Sequence, residues 1–297
     1  ISFFCGLLSL QSAPLFNMAK ILDASTLKVK VLKDWHEVGG EVATRQKLIS
    51  IRVGELVPGK EYRVPVRMVV PAKAKAKGFH LTGGHNPDQF QQDLKPRGVD
   101  RDLLAGGVGL VQTVVQVLQV SGQRELGRLA DRRFVETLNP HYSIQYWGWP
   151  ATLMRATTAA YAEKGHFEKG KVAASGGSKN GASPSVALIE DERLTALHAG
   201  VSPIWDSPLR LCDPKAWSQL RRANEAYGAK LKARGERVNM ERIMNHFFLG
   251  GTFGPVYNRQ ALAAGNKWED LQKIAGEMAD HVFVSRNLKT LKERNVD

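Results

Sequence analysis

The chain is poor in residues on which several broad classes of chemistry depend. It holds only two cysteines in 297 residues, Cys5 and Cys212, too few for a disulfide framework or a cysteine-based metal cluster. No His-Glu-x-x-His, Cys-x-x-Cys or Gly-Lys-Ser/Thr phosphate-loop string occurs, so the usual metalloprotease, thiol-redox and nucleotide signatures are missing. Gly106-Gly-Val-Gly109 lacks the third spaced glycine of a dinucleotide fingerprint. No metal and no cofactor are expected. No apolar run approaches the roughly 20 residues of a membrane helix. Negative charge is scarce too, with 29 Asp and Glu against 42 Lys and Arg, a net charge of +13. Such a surplus could draw nucleic acid or an acidic polysaccharide. The basic residues are dispersed, however, and no nucleic-acid-binding motif accompanies them, so no nucleic-acid partner is expected. The densest run, Ala72-Lys-Ala-Lys-Ala-Lys-Gly78, reads as a solvated loop between strands. Oligomeric state is not legible.

An initiator methionine is missing as well. Ile1-Ser-Phe-Phe-Cys-Gly-Leu-Leu-Ser-Leu10 with Gln-Ser-Ala13 resembles the apolar part and tail of a secretory signal, without a basic leader. Residues 1–17 are therefore expected to be a partial signal segment of an exported, periplasmic or extracellular protein. The other reading takes Met18 as the start and the protein as cytoplasmic.

What is present is an ordinary globular composition, 43% hydrophobic and 24% charged, with no repeat and no long linker. Residues 18–297 are expected to form one domain. From about Gln46 strand-like and helix-like segments alternate, the pattern of a mostly parallel sheet covered on both faces. Lys47–Val53 and Tyr62–Val70 read as paired early strands. Gly78–Leu81 is a short strand entering the loop Thr82-Gly83-Gly84-His85, and Gly107–Val120 is a buried strand with its exit. Pro150–Lys164 predicts a helix, Lys171–Ser175 a strand, Ala182–Ile189 a helix and Leu194–Ser202 a strand. Asp213–Val238 reads as a polar, basic helical cap or insertion. Trp268, Leu271, Ile274 and Met278 make a helical stripe, His281–Ser285 a strand and Leu288–Arg294 a final helix. The fold class is a three-layer α/β/α sandwich.

The stretch Val172-Ala-Ala-Ser-Gly-Gly-Ser-Lys-Asn-Gly181 carries the chemistry. A nucleophilic serine on a sharp strand-to-helix turn needs small neighbours, because the backbone there is strained and its approach crowded. Gly176, Gly177 and Gly181 supply them around Ser178. A helix starting near Asn180 would turn its free N–H groups toward an oxyanion, with the Lys179 amide as donor. Gly83 and Gly84 stand where the second oxyanion loop belongs. An acid is expected next in chain order, and Asp206, in the rigid Pro203-Ile-Trp-Asp-Ser-Pro208, and Asp280 are the candidates. Either could equally be a turn residue or a helix cap. His281 is the fallback base, although it adjoins Asp280 on a predicted strand, where neighbours point to opposite faces. His246, beside Phe247-Phe-Leu249, reads as a core-edge histidine. Tyr142, Tyr146, Trp147 and Trp149 form an aromatic cluster that could stack on sugar rings or simply fill core.

The elbow and the following Asp191-Glu-Arg193 resemble the PhoPQ-activated pathogenicity-related proteins, an α/β-hydrolase-like family with a Gly-x-Ser-Lys-Arg-Gly elbow. Trp149-Pro-Ala-Thr-Leu-Met-Arg155 is similar to that family's segment before the elbow. The elbow is also similar to the Gly-Cys-Ser-Arg-x-Gly signature of glucuronoyl methylesterases, whose basic residue assists the oxyanion. The resemblance spans residues 62 to 210 and departs at Asn180. It implies the α/β-hydrolase fold, Ser178 as nucleophile, Lys179 as its basic neighbour, and a carboxylesterase acting on a carbohydrate-linked or small ester. The alternative is a non-catalytic binding protein on a degenerate hydrolase fold. That fold also calls for a last strand followed by the histidine. The chain ends at Asp297 where that strand should begin, so it is expected to be truncated and catalytically incomplete.

Overall fold

The computed structural model describes residues 14–115, 123–177, 179–200, 214–240 and 260–297. One seven-stranded sheet runs in the order β1-β2-β3-β5-β4-β6-β7. Its strands are β1 (Lys30–Val38), β2 (Thr44–Val57), β3 (Lys60–Pro71), β4 (Phe79–Thr82), β5 (Gly109–Thr113), β6 (Val172–Gly177) and β7 (Leu194–Gly200). The half from β5 through β4 and β6 to β7 is parallel. The other half, β1 to β3 and on to β5, is antiparallel. The helices are α1 (Met18–Leu22), α2 (Gly98–Ala105), α3 (Arg124–Thr137), α4 (Trp149–Ala162), α5 (Lys179–Glu190), α6 (Pro214–Ala233), α7 (Trp268–Val282) and α8 (Val284–Glu293).

The period-2 pattern of β3 shows why this sheet is covered on two sides. Val64, Val66, Met68 and Val70 enter the large core, whereas Val69 joins a small separate one with Leu104 of α2 and Leu110 of β5. The large core is closed by α4 and α5, which pack on each other and on the sheet. α4 is buried at every position from Trp149 to Ala160, because its alanines and threonines let it lie close to the strands. This is the expected α/β-hydrolase fold, an α/β/α sandwich.

Arg155 is the largest fully buried side chain. Its Nη1 donates to the carbonyls of Lys20, Ile21 and Asp23 at 2.7, 3.1 and 3.0 Å, which ties the N-terminal segment to α4. Burial lowers its pKa to about 10, so it stays charged at neutral pH. Leu15 and Phe16 are also buried in the large core, and the Asn17 side chain caps α1 through the Lys20 amide. The structure therefore uses side chains on both sides of the boundary drawn at Met18.

Two expectations are corrected. β1 was not anticipated: most of its residues are exposed, so it lacks the alternation of a half-buried strand. His281–Ser285 is not a strand. α7 runs through Val282, Phe283 alone is extended, and α8 begins at Val284. Beyond α8, Asp297 exchanges backbone hydrogen bonds with Thr195 and Leu197 on the outer edge of β7. No helix among the described residues is long and apolar enough to cross a membrane.

Candidate active site

Strand β6 ends at Gly177 and α5 begins at Lys179, so one residue in the sequence separates strand from helix. That residue, Ser178, lies outside the described residues. A helix starting at Lys179 leaves its first N–H groups without partners in the helix, at the positive end of its dipole.

The parallel register brings the glycine loop to the same place. Thr82 pairs with Ser175, so the Gly83–Gly84 loop leaves β4 at the level where Gly176 and Gly177 continue β6, at the carboxyl ends of the strands, where α/β sheets bind their ligands. Gly83 fits only without a side chain, since a Cβ there would stand 2.4 Å from Val115 Cγ1 and 3.1 Å from Leu153 Cδ2. Its carbonyl accepts the Val115 N–H at 3.0 Å, and Gly84 bridges Val114, so the loop folds back on the exit of β5.

Two histidines brace this end of the sheet. His80 Nε2 lies 2.7 Å from Ser175 Oγ, joining β4 to β6 just below the junction. Burial lowers the His80 pKa, with the nearby Asp100 charge acting in the opposite direction. His85 Nε2 lies 2.7 Å from Thr82 Oγ1, and its ring meets the Phe90 edge at 6.0 Å. Burial and then the Arg67 charge push its pKa down to about 4, so it is neutral at pH 7. Arg67 in turn donates to the carbonyls of Gln89 and Gln92 and holds the loop that carries Phe90. Sequence reasoning missed the His80–Ser175 pair. The alternation of Phe79-His80-Leu81-Thr82 was the available signal, since it sets His80 and Thr82 on the face opposite the large core.

The remaining candidates are not gathered here. His281 sits on α7 with Nδ1 2.6 Å from Glu190 Oε1. Glu190 is the last residue of the 12-residue α5, about 16 Å along the helix from Lys179. His281 therefore occupies the opposite end of α5 from the junction. Asp280 is an exposed helical residue 3.3 Å from Arg286 Nη1, on the same remote end. Asp206 and His246 lie outside the described residues. No group of three or more His, Cys, Asp or Glu suited to a metal ion occurs among the described residues.

No family model and no curated protein matches the chain. Among solved structures it is similar to a glucuronoyl esterase from Solibacter usitatus, at 18% identity over 57% of this chain and 50% of that one, with a TM-score of 0.37. A CE15 glucuronoyl esterase from Teredinibacter turnerae T7901 matches at 13% identity over 89% and 68%, TM-score 0.42. Acetyl xylan esterase 1 from Thermoanaerobacterium sp. JW/SL YS485 matches at 12% over 94% and 82%, also with a TM-score of 0.42. The chain spans about half the length of the Solibacter esterase. Likenesses this faint give no ground for assigning a substrate; the order and direction of the strands are what identify the α/β-hydrolase fold here.

Proposed function

We propose that the chain is a serine hydrolase that cleaves a carboxylic ester, with Ser178 as nucleophile and the Lys179 amide together with the Gly83–Gly84 loop as oxyanion donors. The observation that supports this reading is the register Thr82 to Ser175, by which the glycine loop and a strand-to-helix turn only one residue long leave adjacent strands at the same end of the sheet. Two sources of backbone N–H around one small residue are what acyl transfer requires, since charge develops on the carbonyl oxygen as the serine attacks. In the reaction the serine oxygen bonds to the acyl carbon, its proton passes to a base and then to the departing alcohol, and water releases the acid. His281 is held at the far end of α5 by Glu190, which leaves His246, outside the described residues, as the other histidine that follows Asp206 in the chain.

A carbohydrate-linked ester is the substrate class of choice, in keeping with the resemblance of the elbow to the glucuronoyl methylesterase signature. The test is labelling with a fluorophosphonate and location of the adduct by peptide mass spectrometry. Modification at Ser178, abolished by Ser178→Ala, supports the reading. Equal absence of label in both proteins would favour a binding protein on a hydrolase scaffold.

A further inference from the structure

Two irregularities of the backbone meet at one cavity of about 480 Å³, well away from the strand-to-helix junction. The pairing of β2 with β3 shifts register between Arg52 and Gly54, and Ile144–Gly148 forms a π-helical turn before α4. Bulges and π-turns interrupt regular hydrogen bonding and concentrate at functional sites. Here they fit each other, because the outer edge of the Trp147 indole, in the π-turn, fills the space where a Gly54 side chain would stand. A Cβ at Gly54 would stand 2.7 Å from Trp147 Cη2. His141 leans on the same indole, centroids 4.4 Å apart.

The cavity joins an apolar wall to a cationic one. Leu15, Ile21, Val53 and Trp147 line one part, and Lys20, Arg52 and Arg155 supply positive charge against the single carboxylate of Glu55. Arg155 spends its donors on backbone carbonyls. Arg52 keeps one side open: Nη2 meets Glu55 at 2.7 Å and Nε lies 3.5 Å from Glu61 Oε1, while Nη1 has no hydrogen bond among the described residues. β2 runs in the same direction as β5, so this cavity opens at the same end of the sheet as the junction. Four strand spacings separate β2 from β6, about 19 Å.

We propose that this cavity binds a small aromatic carboxylate, its ring against Trp147 and His141 and its carboxylate on Arg52 and Lys20. An apolar wall with a few placed charges, in a volume of a few hundred Å³, is the usual make-up of a small-molecule site. The unengaged Nη1 edge of the Arg52 guanidinium, with the Lys20 ammonium, suits a planar carboxylate. The site stands apart from the esterase reading, and its ligand is recognised whether or not Ser178 is a nucleophile.

The test titrates benzoate, benzamide and acetate into the full 297-residue chain while following the His141 imidazole and Trp147 indole resonances. Benzoate should saturate with a dissociation constant on the order of 1 mM, and the uncharged amide and the ringless acid should each bind roughly tenfold more weakly. Lys20→Gln, at an exposed position, and Arg52→Gln should each weaken benzoate and leave benzamide unchanged. Gly54→Ala should displace the indole and remove the preference for a ring. Thermal unfolding of each variant establishes that the fold is kept. Equal affinity for benzoate and benzamide, or undiminished benzoate binding in both folded charge variants, overturns the proposal. Ser178→Ala should leave benzoate binding intact; loss of binding there would move the ligand to the junction and overturn it as well.

Discussion

The two ends of the parallel strands are built on different terms. At the amino end, where α5 finishes and β7 begins, side chains are locked by charge. Asp191 is buried and holds Arg193 through contacts of 2.9 and 2.6 Å, Arg294 caps the last carbonyls of α5, and His281 is fixed by Glu190. At the carboxyl end small residues dominate, with Gly83, Gly84, Gly176 and Gly177 in adjacent strands and loops. The few polar side chains there are braced by single hydrogen bonds. The contrast separates motif residues locked by charge from motif residues kept small. Asp191-Glu-Arg193 and the glycine elbow belong to one sequence resemblance, yet the first is a structural lock and only the second stands at the carboxyl end of the parallel strands.

Breaking the lock should have the largest effect. Asp191→Ala leaves the Arg193 guanidinium beneath α4 without its carboxylate, and removing one partner of a buried pair typically costs about 3–5 kcal/mol. Denaturant unfolding measures it, and a loss below about 1 kcal/mol would show that the two ends do not differ in this way. Phe16→Ala removes a ring that is 2% exposed, at an expected cost of about 3 kcal/mol. That variant also tests whether the residues before Met18 belong to the folded domain. At the other end, Gly83→Ala should cost about 1–3 kcal/mol by overpacking against Val115 and Leu153. Because that loop neighbours the junction, fluorophosphonate labelling should fall further than the stability loss explains. A rate that merely follows the folded fraction would place Gly83 outside the site.

Much of the parallel half was legible because its strands are buried and its helices periodic. Val172 and Ala174 enter the large core, and the small residues of α4 mark a helix pressed against a sheet. What escaped did so for physical reasons. β1 is an edge strand with Val31 and Leu32 more than half exposed, so burial imposed no pattern on it. His281-Val-Phe-Val-Ser285 is a short apolar run, for which strand and helix periods fit equally well. Tertiary packing decides it: Val282 and Phe283 are buried where α7 turns into α8. The site was legible as a turn with glycines around it. The partner of that turn was not, because the register between β4 and β6 joins residues more than ninety positions apart, and no local signal reports it.

The smallest expected effect separates the two ends by the sign of their response to pH. The Glu190 hydrogen bond raises the His281 pKa against the opposing effect of burial, with Asp280 adding in the same direction. A histidine whose folded pKa is raised contributes stability that is complete below its unfolded pKa of about 6.5 and is lost as pH climbs through the folded value. His80 and His85 are shifted the other way. Their contribution is present above about 6.5 and, for His85, is lost as pH falls through about 4. His281→Gln should therefore cost about 1 kcal/mol at pH 6, the worth of a partly exposed charged hydrogen bond, and close to nothing at pH 9. Hydrogen exchange between pH 6.5 and 4, corrected for intrinsic rates, should show residues 83–86 losing protection while the α5–α7 contact keeps it. His85→Gln should remove the acid sensitivity of that loop and leave the α7 amides unaffected. Parallel loss of protection at both ends on acidification would mean that His281 is not held protonated by Glu190, and that the charged lock does not extend to α7.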